Sequence, residues 1–258
     1  MKNLSTISIV LFLFFTAQSQ EKNILVEFNN MFGQEKIELN KSRYVNPFGE
    51  PFRIDLLQYF ITNIAFERKD GSYYTVPQDS SYFLIKESDL ASKRIYLSIP
   101  DGKYRSIRFL LGIDSLRNTM PLANRKGVLD PGAYKGDENM YWGWNTGYIF
   151  FKMEGQSDSA KLNKAGTRKY MYHIGLYGGM NTPTINNVKQ IDLALSDKSS
   201  VRVKNNKPLV VEINADIMQA FTGAGDLKIA EHTVVMVTPF SAVIANNYAK
   251  MFKVVGVK

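Results

Sequence analysis

The chain has 258 residues, 45% of them hydrophobic and 22% charged, with no cysteine and a formal net charge of +8. That length and apolar content suffice for a packed core, and the missing cysteines exclude disulfides, thiol nucleophiles and thiolate metal sites. The basic residues are scattered, as in Lys103, Arg105, Arg108 and in Lys161, Lys164, Arg168, Lys169; without a long basic block they argue for solubility and against a nucleic-acid partner.

The N-terminus reads as a leader. Lys2 gives a short basic start, residues 7–15 are a continuous apolar run, and Ala17, Gln18 and Ser19 supply a cleavage site. The run is too short to span a membrane. A signal peptide over residues 1–19 and a single domain over residues 20–258 are therefore expected. Loss of Lys2 leaves 31 basic against 24 acidic residues, or +7. No cysteine comes after the leader for lipidation, so the expected product is soluble, not membrane-spanning, and periplasmic or secreted.

Strand signals dominate the rest of the chain. Residues 24–28 open with a β-rich segment, residues 54–66 carry a long apolar pattern, and Arg68-Lys69-Asp70-Gly71 provides a hairpin turn into residues 73–76. Further strands are predicted over residues 82–85, 94–99, 104–111, 148–153, 169–176, 188–195, 201–203 and 209–213. A short helical turn is expected near residues 216–221 and a helix over residues 241–252, where Val243, Ile244, Tyr248, Met251 and Phe252 share a face. No alternating β-α pattern suggests a parallel sheet. The fold class is thus all-β: an antiparallel β-sandwich or distorted barrel with one or two short helices near the C-terminus. Residues 118–141 form a long irregular connection, a length usually tied to function or mobility.

Catalytic signatures are missing. There is no Walker-type glycine loop, dinucleotide fingerprint, GxSxG or HExxH, so a binding protein is expected and not an enzyme. Both tryptophans, Trp142 and Trp144, lie in one segment, MYWGWNTGY. Two residues apart on an extended chain, they would share a face, either as core aromatics or as a site. His173 sits mid-strand among tyrosines, where it is either a packed core residue or a neutral-imidazole ligand. His232, in Glu231-His232-Thr233, is either a second ligand or a surface residue. Asp130, Asp137, Glu138 and Asn139 precede the tryptophans without an EF-hand register, which favours solvated loop charge over calcium.

The segment MYWGWNTGYIFFKMEG (residues 140–155), with YHIG (residues 172–175) further on, resembles the central signature of the MbnP-like copper-binding family, named for a methanobactin-associated periplasmic protein. YVNPFGE (44–50) leading into YFITNI (59–64), IPDGKY (99–104) leading into FLLGID (109–114), and the closing IANNYAKMF (244–252) are similar to it as well. The resemblance implies an exported β-sandwich-like protein that binds copper through histidine for acquisition or storage. It also implies that a tryptophan can be oxidised to kynurenine by a dihaem peroxidase-like partner. Ring opening would give Trp142 or Trp144 an aniline nitrogen able to bind copper. The candidate metal residues are His173, His232, Trp142 and Trp144; that donor set suits Cu(I), whereas Cu(II) would have to borrow oxygens. The alternative is a non-metal binding module whose tyrosines and Trp pair form an aromatic platform for a peptide, glycan or small ligand.

Overall fold

Strict alternation sets the first strand. In β1 (Ile24–Phe32) the side chains of Ile24, Val26, Phe28, Asn30 and Phe32 point inward and are buried. The structure, a computed structural model, describes residues 22–40, 43–144, 147–197, 200–205 and 207–258; the expected leader lies outside them. β2 (Glu35–Lys36), β3 (Tyr44–Val45) and the 18-residue β4 (Pro51–Arg68) come next. The chain continues through β5 (Tyr73–Thr75), β6 (Tyr82–Lys86), β7 (Arg94–Leu97), β8 (Gly102–Leu111) and the short helix α1 (Ser115–Thr119). After the long connection come β9 (Tyr141–Trp142), β10 (Gly147–Ser157), β11 (Lys169–Gly175), β12 (Lys189–Ala194) and β13 (Val201–Val203). β14 (Leu209–Asp216), β15 (Val234–Val235), α2 (Ser241–Tyr248) and β16 (Phe252–Val257) complete the described strands and α-helices; short 3-10 turns lie between them, among them Ile217–Phe221, the helical turn expected there.

The strands form two sheets. One runs β16-β14-β1-β2, with β7 beside β1; the other runs β12-β8-β4-β10-β11-β15, with shorter strands attached to β4, β8 and β10. Aromatic side chains from both sheets meet in one core. Phe28 of β1 and Phe252 of β16 contact Phe109 of β8 at 5.9 and 5.2 Å between ring centroids, and Phe252 also meets Tyr59 of β4 at 5.9 Å. Mostly β, with curled sheets and few helices, the architecture is the expected one.

Three local expectations need correction. Two pairings are parallel, β1 with β14 and β11 with β15; their partners are far apart in sequence, so the intervening strands serve as the crossover that a parallel pair requires. One helix, α1, lies in mid-chain, with Asp114 accepting from the Arg117 N–H as its cap. The C-terminal helix stops at Tyr248, because Phe252 leaves it to enter the aromatic core and pair with Ala215. Among the described residues no helix is long and apolar enough to cross a membrane.

A carboxylate pins the YVNPFGE turn to a distant part of the chain. Asn46 Oδ1 accepts from the backbone N–H groups of Phe48 and Glu50, which shapes the turn. Glu50 then accepts from the N–H groups of Ile229 (2.7 Å) and Ala230 (2.9 Å) and from Asn46 Nδ2 (2.6 Å). Replacing Glu50 with Ala leaves two backbone donors without their acceptor. The expected loss is about 3 kcal/mol, the scale of charged hydrogen bonds removed from one side, checked by urea denaturation; a loss within about 0.5 kcal/mol, typical of neutral surface changes, would contradict this account.

Candidate functional site

The chemistry gathers on the outer face of β10 and β11. Along β10, Phe151 and Met153 turn into the core, so Lys152 and Glu154 face the other way, yet nearly every residue of this strand is buried. The second cover is the long connection. Lys152 Nζ donates to the carbonyls of Asp137 and, at 3.1 Å, Asn139, while Gln58 Nε2 on the neighbouring β4 donates to the carbonyl of Glu138 at 3.0 Å. Lys86 on β6 pairs with the Glu138 carboxylate at 2.6 Å. Arg125 anchors the strap from within: it donates to the carbonyls of Asn118 and Met120 and lies over the rings of Tyr141 and Tyr148.

Under that strap Glu154 meets three cation-capable groups. Its Oε1 lies 2.7 Å from His173 Nε2 and 3.4 Å from Lys152 Nζ, and its Oε2 lies 2.5 Å from Lys169 Nζ. Burial alone pushes the carboxyl up, but the hydrogen bonds from His173 and Lys169 and the charge of Lys152 outweigh it and hold it at about 2. Burial lowers Lys152, with Glu154 opposing; Lys169 is also partly desolvated, but Glu154 raises it. An ionised carboxylate can only accept. A neutral His173 must therefore donate from Nε2, which leaves the lone pair on Nδ1. Metal-binding histidines have this arrangement, one nitrogen on the metal and the other on a carboxylate.

Trp142 lies beside this group. The β9–β10 hairpin pairs Trp142 with Gly147, and its six-membered ring covers Gly175, two residues after His173 on β11. The glycine is required there: a Cβ would collide with the Tyr148 carbonyl oxygen and come within 2.7 Å of Trp142 Cζ3. Trp142 is buried, at 5% exposure, whereas Trp144 is 66% exposed, its ring 5.6 Å from that of Trp142 and tilted by 43°. The tryptophans are thus one buried ring with an exposed neighbour, and they do not form an open two-ring platform.

The fourth candidate lies elsewhere. His232 stacks face to face on Phe240, with 3.5 Å between centroids and 17° between planes. Met171 pairs with Val234 in the parallel β11–β15 ladder, so His232 falls on the Lys169 side of His173 while Trp142 lies on the Gly175 side. Asp130 caps the turn at Gly132, Asn139 caps Tyr141, and Glu138 pairs with Lys86, so the acidic stretch holds the loop together. Among the described residues no three His, Asp or Glu side chains form a metal-ligand group. Sequence reasoning misses Glu154 and Lys152, although their signal is present: two charges at alternate positions inside the apolar run IFFKMEG.

The buried carboxylate and the glycine beneath Trp142 each give a measurable expectation. Because the folded Glu154 carboxyl sits at about 2 against an ordinary 4.5, its contribution is complete above pH 4.5 and is lost as pH falls towards 2. A shift of that size corresponds to about 3 kcal/mol; acid titration of stability should show Glu154→Gln flattening this limb, and an unchanged slope would refute the assignment. Gly175→Ala should displace Trp142 at a cost of about 2 kcal/mol from overpacking. In a Trp144→Phe background it should red-shift the remaining tryptophan emission; an unshifted spectrum would mean that Trp142 does not rest on Gly175.

Comparisons agree with this architecture. A solved structure, MbnP from Methylosinus trichosporium, superposes with a TM-score of 0.51 at 13% identity, covering 84% of this chain and 81% of that one, which is likeness of fold. No curated protein matches the chain. The family model described as MbnP matches residues 21–238, and the chain belongs to the MbnP family.

Proposed function

We propose that this protein is an exported copper-binding protein, acting in copper acquisition or storage and catalysing no reaction itself. Family membership supports a copper-related role, given the copper association that the sequence resemblance implies. The observation that carries the reading for this chain is the 2.7 Å contact between His173 Nε2 and Glu154, which leaves Nδ1 as the free imidazole donor. The unmodified chain offers one oriented nitrogen here, because an intact indole nitrogen has no lone pair to give. Trp142, on the neighbouring glycine, is the residue whose oxidation to kynurenine would add an aniline nitrogen. Two such donors suit Cu(I) better than Cu(II), which prefers more nitrogen and oxygen ligands. The oxidant would come from outside this chain, from a dihaem peroxidase-like partner as the resemblance implies. His232, stacked on Phe240, has no part in this reading.

The exposed Trp144 supports a second reading, a non-metal ligand contact on an aromatic surface. Copper loading with metal quantification separates the two. The copper reading expects one copper per chain in the natively purified protein, lost in His173→Ala and kept in His232→Ala and Trp144→Ala. Fragmentation mass spectrometry of the peptide that holds both tryptophans should place the carbon-for-oxygen exchange of kynurenine on Trp142. A copper-free wild type, or a His173→Ala variant that keeps its copper, would overturn the reading.

A further inference from the structure

A cavity of about 660 Å³ opens on the same long connection, between the turn Gln78–Ser80, β6 and the segment after α1, and shares no lining residue with the His173 group. Arg117 is its fixed feature. The side chain is only 14% exposed, and its guanidinium lies 5.5 Å from the centre of the Tyr82 ring. Its donors are poorly used. Nε is buried without an acceptor among the described residues, and Nη1 points to the Met120 sulfur at 3.7 Å, a weak acceptor. Nη2 pairs with Asp79, whose side chain is 90% exposed, so this partner sits on the rim and is easily displaced. The Tyr82 hydroxyl donates to Asp114, accepts from Gln78 Nε2 at 3.0 Å and also helps hold the Arg117 guanidinium in place. Lys126 adds a second cation to the lining, against which Asp79 is the carboxylate among the described lining residues; Met120, Val128 and Leu129 give an apolar wall. Nη2, held by a displaceable rim carboxylate, is therefore the group that can take another acceptor from the cavity, and a guanidinium is shaped for an oxyanion.

We propose that this cavity binds a small organic carboxylate, its head on Arg117 in place of Asp79 and its hydrocarbon body against Met120, Val128 and Leu129. Inorganic phosphate satisfies the charge but not the apolar wall. The site is independent of copper at His173.

The test is calorimetric titration of the whole protein with hexanoate, with inorganic phosphate and 1-hexanol as the head-only and body-only probes. Hexanoate should bind saturably, and neither control should match it. Arg117→Gln should weaken hexanoate by about tenfold or more, the low end for one charged hydrogen bond. Asp79→Asn removes the competing carboxylate from an exposed position, so the protein should fold normally and bind hexanoate more tightly than wild type. The proposal fails if hexanoate does not saturate wild type or Asp79→Asn, if Asp79→Asn leaves the affinity unchanged, or if phosphate or 1-hexanol binds as tightly as hexanoate.

Discussion

A carboxylate buried among cations organises the outer face of this protein. Glu154 sits against His173, Lys152 and Lys169, and a charge taken out of water is tolerable only when its partners and hydrogen bonds are complete. Lys152 passes the constraint on, because its remaining donors go to the carbonyls of Asp137 and Asn139. The long connection is thereby held over the sheet. The same carboxylate fixes which nitrogen of His173 carries the proton. The position of the loop and the setting of the His173 ring thus depend on one side chain.

The inner face of the same strands obeys a different rule. There the two sheets meet through Phe28, Tyr59, Phe109 and Phe252, and burial of large apolar area supplies the stability that a cysteine-free chain cannot draw from disulfides. β10 belongs to both faces, which is why it is buried nearly throughout. Its bulge at Gly155 reflects close packing: a Cβ there would collide with the Arg53 carbonyl oxygen. Gly175 plays the matching part on β11 by making room for Trp142.

The two tryptophans show how one motif can hold two roles. Trp142 is shielded and close in the fold to the oriented histidine, whereas Trp144 faces solvent. Their spacing would put them on one side of an extended segment, but β9 ends at Trp142 and Trp144 lies in the turn that follows, so Trp142 reaches over the end of β10 to Gly175 while Trp144 stays exposed. His232 shows the opposite case. As the second of two histidines it is a natural ligand candidate, and the ladder between β11 and β15 carries it to the other side of His173.

The sequence by itself determined the β-rich class, most strand positions and the hairpin after β4, and it marked the two segments that carry Trp142 and His173, because alternation and turn chemistry act over a few residues. Its resemblance to a known family was legible for the same reason: the motifs are local. The parallel pairing of β1 with β14, the early end of α2, and the separation of His232 from His173 were decided by tertiary structure. So was the importance of Glu154, whose partners come from three places along two strands. Register and long-range contact depend on how distant segments share one core and one water-excluded face, and no local pattern encodes which segment will arrive there.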